Sequence, residues 1–151
     1  MSLSIGDTAP SFTLPTDEGS SITLSELVGK RVIVYFYPKD ATSGCTTEAC
    51  SFRDEKPKFD KKNVVIIGIS KDSIKSHKSF KEKEGLNFIL ASDETGDVCE
   101  KYGVWVEKSM YGKKYFGIDR STFLIDETGK IAKIWRKVSV PGHIDEILKA
   151  V

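Results

Sequence analysis

Two short runs, Arg31-Val-Ile-Val-Tyr-Phe-Tyr37 and Val64-Val-Ile-Ile-Gly-Ile-Ser70, constrain the fold of this chain more than any other feature. Both are apolar at consecutive positions, so neither alternates between a wet and a dry face. A strand of this kind must be covered on both sides, as in the centre of a parallel sheet flanked by helices. The roughly 25 residues between them are enough for a crossover helix, with Ala49, Phe52, Phe59 and also Pro57 expected to face inward and Pro57 expected to bend or interrupt it. The pair therefore reads as a βαβ unit.

The remaining elements fall around that unit. Residues 11–14 and 21–24 alternate polar with apolar about Asp17-Glu-Gly19, which predicts an N-terminal β-hairpin extension. Thr23 and Glu26 have the spacing of a capping box for a short turn ending at Gly29. Asp72-Ser73 caps a helix running to Gly85, Phe88 to Ala91 is the next strand, and Asp93 to Tyr102 reads as another helix. The glycine-rich, polar and aromatic stretch from Gly103 to Gly117 reads as a loop. Residues 121–126 and 130–136 flank Glu127-Thr-Gly129 as an antiparallel hairpin, and Ile144, Ile147, Leu148 and Val151 mark the inner face of a closing helix. This order predicts an α/β, thioredoxin-like fold: one domain over residues 1–151, a central mixed sheet and helices on both faces.

Charge and cysteine content narrow the function classes. With 23 basic and 22 acidic residues the formal net charge is +1, and the charge-dense stretches mix both signs, which argues against nucleic-acid or acidic-membrane binding. No apolar stretch approaches a membrane span, and the N-terminus lacks the blocks of a signal peptide, so a soluble, cytoplasmic protein is expected. Three cysteines are too few for a secreted disulfide framework. In a reducing compartment, paired cysteines are more often redox-active or metal-binding. Cys45, Cys50, Cys99 and His143 lack the close paired spacings of a zinc site, so neither a metal nor another cofactor is expected.

Two of those cysteines sit where the sheet delivers its chemistry. Cys45 and Cys50 follow the first buried strand at a strand-to-helix junction, outside the carboxyl ends of the parallel strands, where open α/β sheets bind ligands. The first turn of a helix offers unpaired N–H groups and a positive partial charge, which favour a thiolate. Thr42 adds a hydroxyl three residues before Cys45, and Pro38 can shield the sulfur from water. A strand antiparallel to the buried pair begins at the edge where they end, so Arg120, just before Ser121, should reach Cys45. Glu48 could then hold the guanidinium of Arg120. A thiolate beside such donors suits attack on an electrophile whose leaving oxygen gains negative charge, and a peroxide O–O bond is one.

The offset between Cys45 and Cys50 has its own consequence. Five residues of helix separate the two Cα atoms by about 8.6 Å, from a rise of about 7.5 Å and a rotation of about 140°. A disulfide needs less than about 7 Å. The pair can bond only if the first turns unwind. Either Cys50 is a small core residue, or it attacks a sulfenic acid formed on Cys45 and couples turnover to local unfolding. Cys99 reads as a buried helix residue, or as a backup resolving thiol. His77 and His143 stand singly and are not expected to be catalytic.

Pro38-x-x-x-Thr42-x-x-Cys45, followed by Glu48 and Cys50, together with Gly117-Ile-Asp-Arg120-Ser-Thr-Phe-Leu-Ile-Asp126, resembles peroxiredoxins of the bacterioferritin comigratory protein, or peroxiredoxin Q, group along essentially the whole chain. The resemblance implies a thiol peroxidase acting on hydrogen peroxide and small organic hydroperoxides. Cys45 would be the peroxidatic and Cys50 the resolving cysteine, and Pro38, Thr42 and Arg120 would form the peroxide pocket. It also implies recycling by thioredoxin or a similar dithiol, and a monomer. Two alternatives stand beside it. A thioredoxin-like disulfide oxidoreductase would more usually place its cysteines two residues apart, and a redox-switch or chaperone-like binding protein would be oxidised without turnover.

Overall fold

The computed structural model describes residues 3–151. Its centre is a five-stranded sheet built from β3 (Arg31–Phe36), β4 (Val64–Ser70), β5 (Ile89–Ser92), β8 (Ser121–Ile125) and β9 (Ile131–Trp135), in the order β5-β4-β3-β8-β9. The first three are mutually parallel, while β8 runs antiparallel to β3 and β9 to β8. The sheet is therefore mixed, as a thioredoxin-like order requires. The two apolar runs occupy its middle, with Val34 beside Ile67 and Phe36 beside Ile69.

Because side chains alternate across a strand, β3 divides its apolar residues between two cores. Val32, Val34 and Phe36 join Phe12, Leu14, Val98, Tyr102 and Phe123 on one face. Ile33, Tyr35 and Tyr37 join Ala49, Phe52, Phe59, Phe80, Ile144 and Ile147 on the other. The helices behind these contacts are α1 (Ser43–Lys61), α2 (Ile74–Glu84), α3 (Asp97–Lys101) and α4 (His143–Ala150). At the N-terminus, β1 (Thr13–Pro15) and β2 (Ser21–Thr23) form the expected hairpin, and Ser73 caps α2 by accepting from the Ser76 amide. No helix of the described residues is long and apolar enough to cross a membrane.

Four local readings differ from the sequence expectation. Residues 103–117 are not a loop, because β6 (Trp105–Met110) and β7 (Lys113–Ile118) pair as an antiparallel hairpin. Most of its side chains are exposed, so no burial alternation marks it, and the turn at Tyr111-Gly112 has positive φ at both positions. That geometry suits a tight two-residue hairpin turn. Pro57 is exposed inside a continuous α1 and does not face the core. A proline at that position cannot bond the Arg53 carbonyl, and the side-chain amide of Asn87 donates to this oxygen instead at 3.3 Å. Thr23 makes no side-chain cap for the 3-10 turn Leu24–Leu27, its hydroxyl pairing with that of Thr13. Finally, α3 starts later than expected, after Gly96 in a left-handed conformation.

The arrangement matters for one reason. Ser121 lies opposite Phe36 in the register, so the segment preceding β8 arrives at the end of β3 where α1 begins.

Candidate active site

Cys45 lies in the first turn of α1, where the amides of Ser43, Gly44 and itself have no intrahelical acceptors. It is buried, with 2% of its surface exposed. Arg120, between β7 and β8, reaches it across the sheet edge: Nη2 donates to Cys45 Sγ at 3.2 Å and Nη1 donates to Glu48 Oε1 at 2.6 Å. A forked guanidinium thus spans two residues of the same helix. The backbone around it is held by Asp119 N–H on the Val104 carbonyl and by Val138 N–H on the Arg120 carbonyl.

Glu48 is fully buried, and its second oxygen, Oε2, has no hydrogen-bond partner. Burial pushes the carboxyl up to about 7, against the opposing charge and hydrogen bond of Arg120. Arg120 is therefore oriented by a group that changes charge near neutrality. Gly44 completes this contact. A Cβ at that position would lie 3.3 Å from Arg120 Nη2, so only glycine lets the guanidinium settle against the helix without displacement. Gly44→Ala is expected to keep the fold and to slow, by roughly tenfold, any reaction of the Cys45 thiol that relies on Arg120, since small displacements of a positioning group are costly. Stopped-flow rates compared with a melting curve test this. An unchanged rate would remove the role assigned to Gly44.

The other expected residues are placed less simply. Thr42 is the N-cap residue of α1, but its hydroxyl donates to the Lys39 carbonyl at 2.9 Å rather than to Cys45. A β/extended N-cap turned back on its own loop satisfies the hydroxyl locally. Pro38 stands exposed at the end of β3. Cys50 points elsewhere than Cys45: its thiol donates to Glu84 Oε1 at 3.7 Å. Burial and the Glu84 carboxylate raise its pKa, with Arg53 opposing, so the thiol form is favoured in the folded chain. All three cysteines are free, and Cys99 is buried, its thiol pushed well up by burial and by Asp93.

Two histidines are more deeply built in than their polar sequence neighbours suggest. His143 is buried against Trp135 and shares a 2.8 Å hydrogen bond with Thr122, and burial lowers its pKa to about 4. His77 is fully buried beside Asp40. The spacing Ile74, His77, Phe80, three residues apart on one helical face, is the signal that could have revealed it.

Comparison with known proteins shows the family of the chain. Residues 5–134 match the AhpC/TSA family. The Bcp peroxiredoxin of Coxiella burnetii is 57% identical over 98% of this chain and 98% of its own length. Peroxiredoxin Bcp of Bacillus subtilis is 48% identical over 100% of this chain and 96% of its own. Among solved structures, the Xanthomonas campestris bacterioferritin comigratory protein, studied for alkyl peroxide reduction through trapped intermediate and ligand complexes, superimposes with a TM-score of 0.91. It is 42% identical, covering 98% of this chain and 94% of that one.

Proposed function

Since the chain belongs to the AhpC/TSA family, as a Bcp-type peroxiredoxin and hence a thiol peroxidase that takes electrons from thioredoxin-type reductants, we propose that Cys45 is its peroxidatic cysteine and Cys50 its resolving one. The observation that carries this reading is the fork of Arg120 across Cys45 Sγ and Glu48.

The Cys45 thiolate attacks the terminal oxygen of hydrogen peroxide or a small alkyl hydroperoxide. A sulfur–oxygen bond forms, the O–O bond breaks, and the departing water or alcohol oxygen takes up a proton. Sulfur is oxidised by two electrons to the sulfenic acid and the peroxide is reduced by the same two. Arg120, whose Nη2 already donates to Cys45 Sγ, faces the developing charge, and the first helical turn adds backbone donors. Thr42 and Pro38 form the rim of the pocket, the hydroxyl of Thr42 being free to turn from Lys39 toward a bound peroxide.

Cys50 then attacks the Cys45 sulfur, forming the S–S bond and releasing water. Both residues lie in the uninterrupted helix α1 with their side chains directed at different partners, so α1 must unwind over its first turns. Unwinding also separates Cys50 from Glu84. Farther along, Arg53 donates to the Glu84 carbonyl and Asn87 to that of Arg53, which pins the helix beyond the opening segment. A dithiol finally reduces the disulfide and restores both thiols. Cys45, Glu48, Cys50 and Arg120 all lie within one chain, so no second subunit is needed to complete the site of the proposed monomeric, one-domain enzyme.

Mass spectrometry of the protein after one equivalent of peroxide tests the resolving step. A Cys45–Cys50 disulfide is expected. Cys50→Ser should retain one fast turnover and lose recycling by thioredoxin. Unchanged steady-state recycling in that variant would remove Cys50 from the cycle.

A further inference from the structure

Behind the exposed turn that joins β3 to α1 lies a buried cluster that the reaction itself does not use. Residues Pro38, Lys39, Ala41 and Thr42 are exposed, whereas Asp40 is buried at 6% exposure and turns inward. Its Oδ1 accepts from the Tyr37 hydroxyl at 2.6 Å. Its Oδ2 accepts from the Ser76 hydroxyl at 2.8 Å and faces His77 Nδ1 at 2.7 Å. The Asp40 amide in turn donates to Asp72 Oδ2 at 2.8 Å, an oxygen that also accepts from the Ser70 hydroxyl. The Asp40 side chain therefore ties an otherwise exposed turn to Tyr37 at the end of β3 and to α2, and its backbone amide ties it to the β4–α2 connection.

The protonation of His77 follows from its surroundings. Nε2 lies 3.0 Å from the Ala91 carbonyl, which can only accept, and Nδ1 faces a carboxylate already accepting from two hydroxyls. A neutral imidazole has one N–H and would leave one contact without a proton; an imidazolium satisfies both. Donor atoms of Asp40, Asp72 and His77 lie within 4.8 Å of one another, as in a cation site. The converging atoms are each already engaged in hydrogen bonds, so the cluster is complete without a cation.

We propose that His77, as an imidazolium clamped between Asp40 and the Ala91 carbonyl, is a positioning residue for peroxide: it fixes Asp40, and through Asp40 the Pro38–Thr42 turn that rims the pocket above Cys45. This rests on the assignment of that turn as the peroxide rim. Ala41 sits in the turn at φ +62°, a left-handed conformation that is costly for a non-glycine residue and that persists only where neighbouring contacts hold it. Asp40, immediately before Ala41, supplies those contacts.

The clamp carries a pH dependence. The titratable groups facing His77 are Asp40 and Tyr37 from β3 and its turn and Asp72 from the β4–α2 connection, while β5 contributes the Ala91 carbonyl. Burial alone would lower the imidazole pKa, but Asp40 and the Ala91 carbonyl outweigh it, and the net shift is upward from 6.5. Burial likewise opposes the Asp40 charge, and the bonds from His77, Tyr37 and Ser76 bring its pKa below the ordinary value. A raised folded pKa means that the stabilisation is complete below the unfolded value and is lost as pH rises through the folded one.

Two measurements on the full-length reduced protein test the clamp. The chain has two histidines, so a long-range nitrogen–proton correlation spectrum with His77→Gln as assignment control reads each ring. At pH 7 both His77 nitrogens should be protonated, and His143 should be neutral. In stopped flow, Asp40→Asn and His77→Gln should each lower the rate constant with hydrogen peroxide by roughly 10- to 100-fold, as misplaced substrate-positioning groups do. Alkylation of Cys45 by iodoacetamide, which needs no peroxide rim, should change by less than about threefold. A neutral His77 at pH 7 would overturn the proposal. So would a wild-type peroxide rate in both variants, or equal losses in both reactions, which would mark a merely structural role. If either variant does not fold, Ser76→Ala, which removes one hydroxyl bond to Asp40, must still give a smaller, peroxide-selective loss. Were Cys45→Ser still to consume peroxide, the assignment of the site, not the clamp, would fail.

Discussion

Cys45→Ser is expected to abolish peroxide consumption in the presence of reduced thioredoxin, by at least roughly 10³-fold, the scale on which removal of a nucleophile acts. A serine hydroxyl is not ionised at neutral pH and cannot accept and release oxygen through a sulfenic acid. The exchange is nearly isosteric in a site where only 2% of the residue is exposed, so folding should be preserved. Circular dichroism together with a peroxide electrode distinguishes loss of chemistry from loss of structure. Peroxide consumption persisting in the serine variant would assign the reaction to Cys50 or Cys99.

Arg120→Lys is expected to have the next largest effect, a loss of about 10²- to 10³-fold in the second-order rate constant with peroxide, the range measured when one oxyanion donor is removed. The charge is retained, so the loss isolates geometry. A lysine ammonium is a compact point charge and cannot reproduce a rigid fork that reaches Cys45 Sγ at 3.2 Å and Glu48 Oε1 at 2.6 Å together. Arg120→Met should be slower still. It also leaves Glu48 buried without its cation, and that carboxyl, already held at about 7, would take up a proton. Protonation limits the stability cost to about 1–3 kcal/mol, the desolvation cost of one polar group, rather than the larger cost of a stranded charge. Denaturant unfolding at pH 6 and pH 8 measures this: the variant should lose more stability at pH 8, where more of the carboxyl must be neutralised. A rate within about threefold of wild type for Arg120→Lys would show that charge alone suffices.

The proposed cycle asks one segment of α1 to serve both steps, and the helices that meet near Cys50 bear on that demand. Near its start, the helix is held by Arg120 and by the Cys50–Glu84 contact, both of which the proposed cycle would have to break. From Phe52 onward it is held by backbone-directed bonds from Arg53 and Asn87 and by Phe52 and Phe59, both with no surface exposed. Opening the first turns must therefore expose Cys45, Glu48 and Ala49, each buried in the folded helix.

Much of this was legible in the chain because it depends on local pattern. The unbroken apolar runs of β3 and β4 identify a two-faced sheet, and the position of Cys45 after β3 places it at a helix start whatever the details of packing. The i, i+5 offset of Cys50 follows from helix geometry alone. Even Arg120 was accessible, because an antiparallel strand must begin where its parallel neighbour ends. By contrast, the β6–β7 hairpin buries little and so leaves no hydrophobic period, although Tyr111-Gly112 marks its turn.

What the amino-acid order determined by itself is therefore the sheet, the helix bearing the two thiols and the rule that they meet only after it opens. What only the tertiary structure decided is side-chain geometry that no period encodes: the fit of Gly44 to the distant Arg120, the partnerless Oε2 of Glu48, and the hydroxyl of Thr42 turned to Lys39. The burial of His77 against Asp40 belongs with them. The spacing of Ile74, His77 and Phe80 hints at burial, but only the fold places a carboxylate and a carbonyl on the two sides of the ring. Burial is a property of the packed layers, and charge and proton positions at this site follow from burial.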